Sequence, residues 1–568
     1  MTLYRKIVLA IGFLGMAFTA TAQETKPPVT EVEGKISEEI EIIKAYKPIL
    51  ADAVKLRRSP DLDALKLKIV TQTFELPENK LETNTDIQKL QAQQLAKIKV
   101  VDPKNSYAKL GFGNLATINA EAYLAMGKDP ALQTGIFFKH LSQQGKLFKQ
   151  NENRQQLSGF ARSIGENNTY NAKINYERHG IYFYAADTSS LFSNPNPERQ
   201  IYSFFEGELE ALSKFTPDPD AFSYGLKLNG YLFNDSFTAK EKTLSISAFL
   251  NKRIKSFNLG VAASTDFGNT KDLAYNYTNN LLRLNPYIKL QSGGVKIVAG
   301  INMVQEFGSR SSSRFFPKVT ADLTLIGDFL QIFAEVKGDV KRNSLKDFSD
   351  ENPFINRNIF MKNSVEKFNV SAGIKGTGGP GFGYKAKIYQ KQLTDMPLFV
   401  NNFNTPAKFD VIYDFGTSRV LGLEGELSVQ VSDNLKWTGQ LVMEDYKAAS
   451  EKESYYKPKM RLNSNFTFVY NKKVTFEAAL AIQDNSWAKV YLADTQLMGY
   501  YPPIPDFTKE KVVTIKGFVE LGLGVNYQIN NKFGAYIKTN NTLNSNYNRF
   551  LYYRANGFNI FGGLSYSF

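Results

Sequence analysis

Cysteine is absent from the 568 residues, and histidine and tryptophan occur only twice each. Without cysteine there is no disulfide framework, no thiolate zinc or iron–sulfur site, no thiol nucleophile and no cysteine-linked lipid anchor. Two histidines, His140 and His179, are too few for a multi-histidine metal site, and no cofactor is expected. Long apolar runs are also missing. Beyond residue 22 none reaches ~18 residues, so no helix is expected to cross a membrane. What the chain does have is 43 Phe and 30 Tyr, with 69 basic against 55 acidic side chains for a net charge of +14. The basic surplus is dispersed rather than gathered on one motif, so nucleic acid is not an expected partner. Hydrophobic residues at 43% and charged residues at 22% are too apolar a mix for a disordered chain.

Residues 1–22 read as a signal peptide. Arg5 and Lys6 precede the apolar run Ile7–Phe18, and Ala20-Thr21-Ala22 provides the small residues of a cleavage site before Gln23. An exported, cysteine-free protein of this size fits a Gram-negative cell envelope. Residues 23–105 form a second region, a partly ordered periplasmic arm of mixed charge. Tyr46 and Phe74 are its only aromatics, and Pro48 and Pro60 interrupt its helical spacing. Within AYKPILADAVKL, the residues Tyr46, Lys47, Pro48 and Asp52 are candidates for docking to a periplasmic partner or into a lumen. The alternative is a loosely ordered linker.

From residue 106 to 568 the hydrophobic period is two. Leu244, Ile246, Ala248 and Leu250 alternate with Thr243, Ser245, Ser247 and Phe249. Similar alternation covers 295–303, 382–389, 459–470 and, as one apparent strand, 513–528. Strands of roughly ten residues with this dyad pattern suit tilted membrane strands. Aromatic doublets such as Phe137-Phe138, Tyr182-Phe183-Tyr184, Phe315-Phe316 and Tyr455-Tyr456 read as interfacial girdles. Short turns at 165–168 and 529–532 contrast with long connections at 340–361, 392–407 and 485–510, as in barrels with tight periplasmic turns and long outer loops. The expectation is an all-β membrane protein, a closed antiparallel transmembrane β-barrel of about 22 strands (20–24), in the outer membrane. Both ends of an even-stranded barrel lie on the periplasmic side.

The last strand, FNIFGGLSYSF, places Phe558, Ile560, Leu564, Tyr566 and Phe568 on one face. This terminal aromatic pattern, with Tyr566 and Phe568, resembles the signal read by the barrel-assembly machinery. The last 37 residues resemble the closing strands of TonB-dependent receptor barrels, with Asn541-Thr542-Leu543-Asn544 and Tyr547 approximating a family element. The segment 415–429, with Gly422 and Glu424, resembles a receptor strand pair, and the general appearance is of Bacteroidota-type outer-membrane barrels. The resemblance implies outer-membrane transport. The family's plug of roughly 130–150 residues has no counterpart in the 83 residues of 23–105, and no TonB box is evident there. The expected function is therefore a porin-like channel component or a scaffold of an envelope complex. The alternatives are a TonB-dependent transporter with a reduced plug and, from another class, an outer-membrane enzyme.

Few residues suggest chemistry. His140 and Ser142 share a strand face, which a nucleophile and base would need, but an interfacial histidine beside a serine is the simpler reading. His179 reads as a turn residue. Gly376–Gly381 lacks the lysine and helix of a phosphate loop and reads as a strand connection. Asp347, Asp350 and Glu351 lack calcium-loop spacing. Two charge ladders are expected to face the lumen: Glu206, Glu208 and Glu210 on one strand, and Lys375, Lys385, Lys387 and Lys391 on a hairpin. They would either bridge neighbouring strands or select substrates. Expected partners are outer-membrane lipid and lipopolysaccharide, the barrel-assembly machinery and a periplasmic or outer-membrane protein.

Overall fold

A computed structural model describes residues 106–126, 129, 131–185, 196–214, 222–254, 257–379, 381–432, 434–493 and 505–568. Every described residue belongs to one compact unit. In chain order the strands are β1 (Tyr107–Gly113), β2 (Thr117–Met126), β3 (Leu132–Gln144), β4 (Asn151–Ile164), β5 (Asn168–Tyr182), β6 (Arg199–Ser213), β7 (Phe222–Asn234), β8 (Lys240–Ile254) and β9 (Phe257–Lys271). Next come β10 (Asn276–Ser292), β11 (Val295–Gly308), β12 (Ser312–Ile326), β13 (Leu330–Lys341), helix α1 (Leu345–Glu351), β14 (Ser364–Thr377), β15 (Phe382–Asn401), β16 (Phe409–Ser432) and β17 (Leu435–Lys447). The remainder are β18 (Met460–Tyr470), β19 (Val474–Gln483), β20 (Ser486–Ala493), β21 (Pro505–Ile515), β22 (Phe518–Gln528), β23 (Phe533–Asn540), β24 (Asn548–Phe550), β25 (Tyr553–Arg554) and β26 (Asn559–Ser567).

Twenty-two of these strands form one antiparallel sheet, and β1 pairs with β26 to close it. Closure satisfies every backbone edge, which a sheet in hydrocarbon requires. Pairs β20–β21 and β24–β25 stand outside this sheet. No helix among the described residues is long and apolar enough to cross a membrane.

The alternation sorts the wall into two faces. Leu244 and Leu250 are exposed on the outside, while Phe249 and Glu241 are buried on the inside. At the closing seam the inner face depends on missing side chains. Tyr536 on β23 is the ladder partner of Gly563 on β26 and reaches Gly111 on β1, where a Cβ would meet its hydroxyl at 2.3 Å. Similarly, Tyr389 covers Gly422, where a Cβ would meet its ring at 2.2 Å. Glycine at these positions lets a large ring lie flat on the curved wall.

Four local readings change. Residues 513–528 are two elements: the chain leaves β21 at Ile515 and starts barrel strand β22 at Phe518, with Gly517 donating to Asn485 between them. Continuous alternation cannot reveal that crossing. Residues 415–429 lie within the single strand β16. The 392–407 connection is mostly strand, because β15 and β16 run 20 and 24 residues. The aromatic doublets are not girdles throughout. Phe315 is 70% exposed, but Phe316 is buried with Leu281, Val304, Val340 and Val365, and Phe183, Tyr455 and Tyr456 join a cluster at the loop end.

Candidate functional site: the loop-side mouth and the lumen wall

The end of the barrel opposite Tyr107 and Ser567 carries the long connections, and these pack together. Helix α1 is moored to the wall. Ser344 caps it by accepting from the Asp347 N–H. Glu241 on β8, fully buried, accepts from the Leu345 N–H at 2.7 Å, from Arg342 at 3.1 Å and from the Tyr231 hydroxyl. A buried carboxylate is tolerable here because each oxygen has a donor. Beyond the helix, Phe354 stacks on Tyr553 and meets Tyr184 and Phe550 edge-on at 6.0 Å.

The β15–β16 hairpin supplies the centre. Its register slips between Thr394 and Met396, with Asp395 at φ +57° and Gly416 at φ +110°. This bulge bends 396–414 away from the wall, so that Leu398, Val400 and Phe409 become almost wholly buried in the cluster. Asp414 anchors the bend by accepting the backbone N–H groups of Ala449, Ser450 and Glu451 at 2.6–3.0 Å.

Further bonds link loops from around the ring. Tyr202 on β6 donates to the Pro353 carbonyl at 2.8 Å, Tyr456 to Asn401 at 2.8 Å and Tyr553 to the Ala407 carbonyl. Gln150 and Tyr184 both donate to the Arg554 carbonyl. Asp272, in the β9–β10 turn, accepts from the Asn358 N–H at 2.6 Å. Ion pairs Lys457–Glu351 at 2.8 Å and Lys408–Glu198 at 2.7 Å join further loops. The described loops therefore meet across the mouth in a clasp of aromatic rings.

A cavity of about 110 Å³ adjoins the clasp, lined by Glu152, Arg154, His179, Asp350, Tyr184 and Phe354 among others. His179 is a strand residue, not a turn residue, and its Nε2 lies 3.1 Å from Glu152, which Arg154 approaches at 2.6 Å. His140 and Ser142 occupy the opposite, outward face of β3, alternating with buried Lys139 and Leu141. The two histidines therefore do not converge on one site. Asp350 pairs with Lys346 and Glu351 with Lys457, so the acids of α1 point to different partners. Gly376 and Thr377 end β14, and the short connection to β15 follows them.

The candidate lumen charges all lie on the inner face, on two separate arcs. Glu208 pairs with Lys227 at 3.1 Å, Glu206 accepts from Asn229 at 2.8 Å and Glu210 from Asn171 at 2.7 Å. Lys375 meets Asp322 at 2.5 Å, Lys387 meets Glu424 at 2.6 Å, Lys385 meets Glu426 at 3.8 Å, and Lys391 sits 4.5 Å over the Tyr389 ring. A denser network surrounds Glu444, which accepts from Tyr389, Tyr446 and Arg461 at 2.6–2.9 Å. Tyr566 and Phe568 lie on the outer face beside each other and near Phe533. Asn541 of the receptor-like element brackets its own loop by bonding the Ser545 and Asn556 carbonyls, and Tyr547 donates to Glu520 at 2.6 Å. Tyr46, Lys47, Pro48 and Asp52 lie outside the described residues.

No protein-family model matches the sequence, and no curated relative does. Among solved structures, the P. aeruginosa receptor FpvA bound to a heterologous pyoverdine matches with a TM-score of 0.59 and 13% identity, covering 82% of this chain and 71% of FpvA. The siderophore receptor PirA from Acinetobacter baumannii matches with 0.59 and 11%, covering 82% and 80%. The FrpB iron transporter from Neisseria meningitidis, F3-3 variant, matches with 0.59 and 11%, covering 82% and 81%. At these identities the likeness is one of fold. The shared fold is a closed 22-stranded antiparallel β-barrel, which places the protein in the outer membrane.

Proposed function

We propose that this receptor-like outer-membrane barrel serves as a channel component or scaffold of an envelope complex, with its outer mouth held closed at rest by its own loops. The observation that supports this reading is the clasp, in which loops from β5–β6, β13–β14, β15–β16, β17–β18 and β23–β26 share one buried aromatic cluster. A free-diffusion pore gains nothing from ordering five loops over its entrance, since each ordered residue costs about 1–2 kcal/mol of backbone entropy. Planar-bilayer recording of the purified chain tests it. The expected result is little conductance from the intact chain and clear conductance when 402–408 and 548–553 are shortened. Large, stable conductance from the intact chain would overturn it.

In this reading residues 23–105 reach the periplasmic side after removal of residues 1–22. AYKPILADAVKL is then the part that meets a periplasmic protein or enters the lumen, and Tyr566 and Phe568 present the assembly signal. The lumen ladders bridge strands rather than select a solute, a role supported by their cross-strand ion pairs and hydrogen bonds, such as Glu208–Lys227, Lys387–Glu424 and Asn229–Glu206. In this reading the protein has no catalytic role. A second reading, energy-coupled import, is favoured by the barrel's likeness to siderophore and iron receptors. Capture of an energising inner-membrane protein by the full chain would select that reading over the first.

A further inference from the structure

At the loop-side rim between β7 and β10, charges segregate by sign across the wall. Lys240 and Lys242 on β8 and Lys271 on β9 are exposed and share the outward face of Leu244. The acids between them all turn inward. Glu241 is buried against Arg342 and the Leu345 N–H, Asp272 against Thr238 and the Asn358 N–H, and Asp235 accepts from the N–H groups of Phe237 and Ala239. None of the outward-facing described residues at this rim of β7–β10 is an acid. Their flanking positions are Asn234, Asn269 and Asn276.

Lys240 and Lys271 are direct partners in the ladder. Their Cβ atoms therefore stand ~5 Å apart, and like charges directly opposite are destabilising. Lys242 lies two residues along β8, ~7 Å away. Three ammonium groups within reach of one phosphate border an apolar shelf of Leu232, Leu244 and Phe267, each more than 40% exposed. The long loops mark this rim as the outer leaflet's side. Asn269 is engaged with Asn276 and Thr278, which fixes the surface beside Lys242.

We propose that Lys240, Lys242 and Lys271 form a docking surface for a phosphorylated lipid of the outer leaflet. Its phosphate would sit among the three ammonium groups and its acyl chains along Leu232, Leu244 and Phe267. A soluble acidic protein would meet the phosphate chemistry but leave the apolar shelf in contact with nothing of its own kind.

The test uses the full chain purified in mild detergent, with monophosphoryl lipid A as the probe and native mass spectrometry as the readout. The triple variant K240Q/K242Q/K271Q is expected to lose retained lipid at least tenfold, while K240R/K242R/K271R keeps it. Inorganic phosphate at the same concentration as the lipid is expected to displace little. Equal retention by the glutamine variant would overturn the proposal, and so would full displacement by inorganic phosphate, which would make the surface a free-phosphate site. Heat-modifiable gel mobility confirms folding. If the triple variant fails that check, the single variant K242Q replaces it, with loss of retention expected and unchanged retention overturning the proposal.

Discussion

The barrel wall and the loop-side mouth use the same abundant residues, tyrosine and phenylalanine, under different rules. In the wall, backbone pairing holds each strand, and aromatic rings fit where glycine leaves room: Tyr389 over Gly422 and Tyr536 over Gly111. In the mouth, ladders run within single hairpins, as in 396–401 with 409–414, β20 with β21 and β24 with β25, and side chains do most of the joining of one loop to another. Rings there pack against rings from distant segments, as Phe354 does with Tyr184, Phe550 and Tyr553. The wall is thus governed by register and backbone sterics, and the mouth by side-chain packing. Damage to the wall should stop assembly. Damage to the mouth should leave an assembled barrel that is open.

The strongest break in the wall is Gly563→Val. A Cβ there would lie 1.9 Å from the Leu110 carbonyl oxygen, a backbone atom of the strand that closes the barrel. Neither strand can move without losing the seam, so loss of the folded band in heat-modifiable gel mobility is expected. Near-normal yield would mean that the seam tolerates separation.

The matching break in the mouth is Phe354→Ala. Removing a buried phenylalanine costs about 3–5 kcal/mol, here taken from the packing of 342–363 against 541–558 rather than from the ladder. The expected outcome is normal heat-modifiability with faster proteolysis of these loops and raised bilayer conductance. Loss of assembly would show that the clasp is needed to build the wall.

The wall was largely legible in the sequence, and the mouth was not. Alternation at 242–250 or 295–303 repeats every two residues, and each strand states its own faces locally. Cooperation in the mouth spans hundreds of residues, as between Tyr184 and Arg554, and no local period encodes it. A signal did exist: Phe183-Tyr184, Tyr455-Tyr456 and Tyr552-Tyr553 adjoin long connections, yet aromatics at strand ends also suit a membrane girdle. The same ambiguity hid the β21–β22 crossing, because alternation continues in phase through Lys516-Gly517. The lumen ladders could be placed on the inner face from period two alone. Their partners, such as Glu424 for Lys387, depend on strand register, which the turns set.

Ile246→Arg against Ser247→Arg sharpens the wall's two-face rule. Ile246 shares the outward face of Leu244 and Leu250, whereas Ser247 points inward with Phe249. Arginine at the lipid-facing midplane costs about 2–4 kcal/mol, so the Ile246 variant should assemble poorly and the Ser247 variant nearly normally. Equal yields would refute the register of β8.

The smallest expected effect sits at the edge of the clasp, where Glu198 meets Lys408 at 2.7 Å and Arg357 at 3.6 Å. The hydrogen bond from Lys408, reinforced by the charges of Lys408 and Arg357, holds the Glu198 carboxyl below its ordinary value of 4.5 against partial desolvation. A carboxyl lowered in the folded state contributes stability in full above its unfolded pKa and loses it as pH falls through the folded one. Glu198 is 47% exposed on its side chain, so solvent screens the pair and the contribution is small. Acidification from about pH 5 towards pH 3 should therefore loosen the contact of 196–198 with 402–408, read as a rise in proteolysis at Lys408 with an acid-stable protease. Glu198→Gln should start from the loosened level and lose this part of the pH dependence. An identical acid profile in the two proteins would assign the loosening to other groups of the clasp and leave Glu198 as a surface pair without effect on closure.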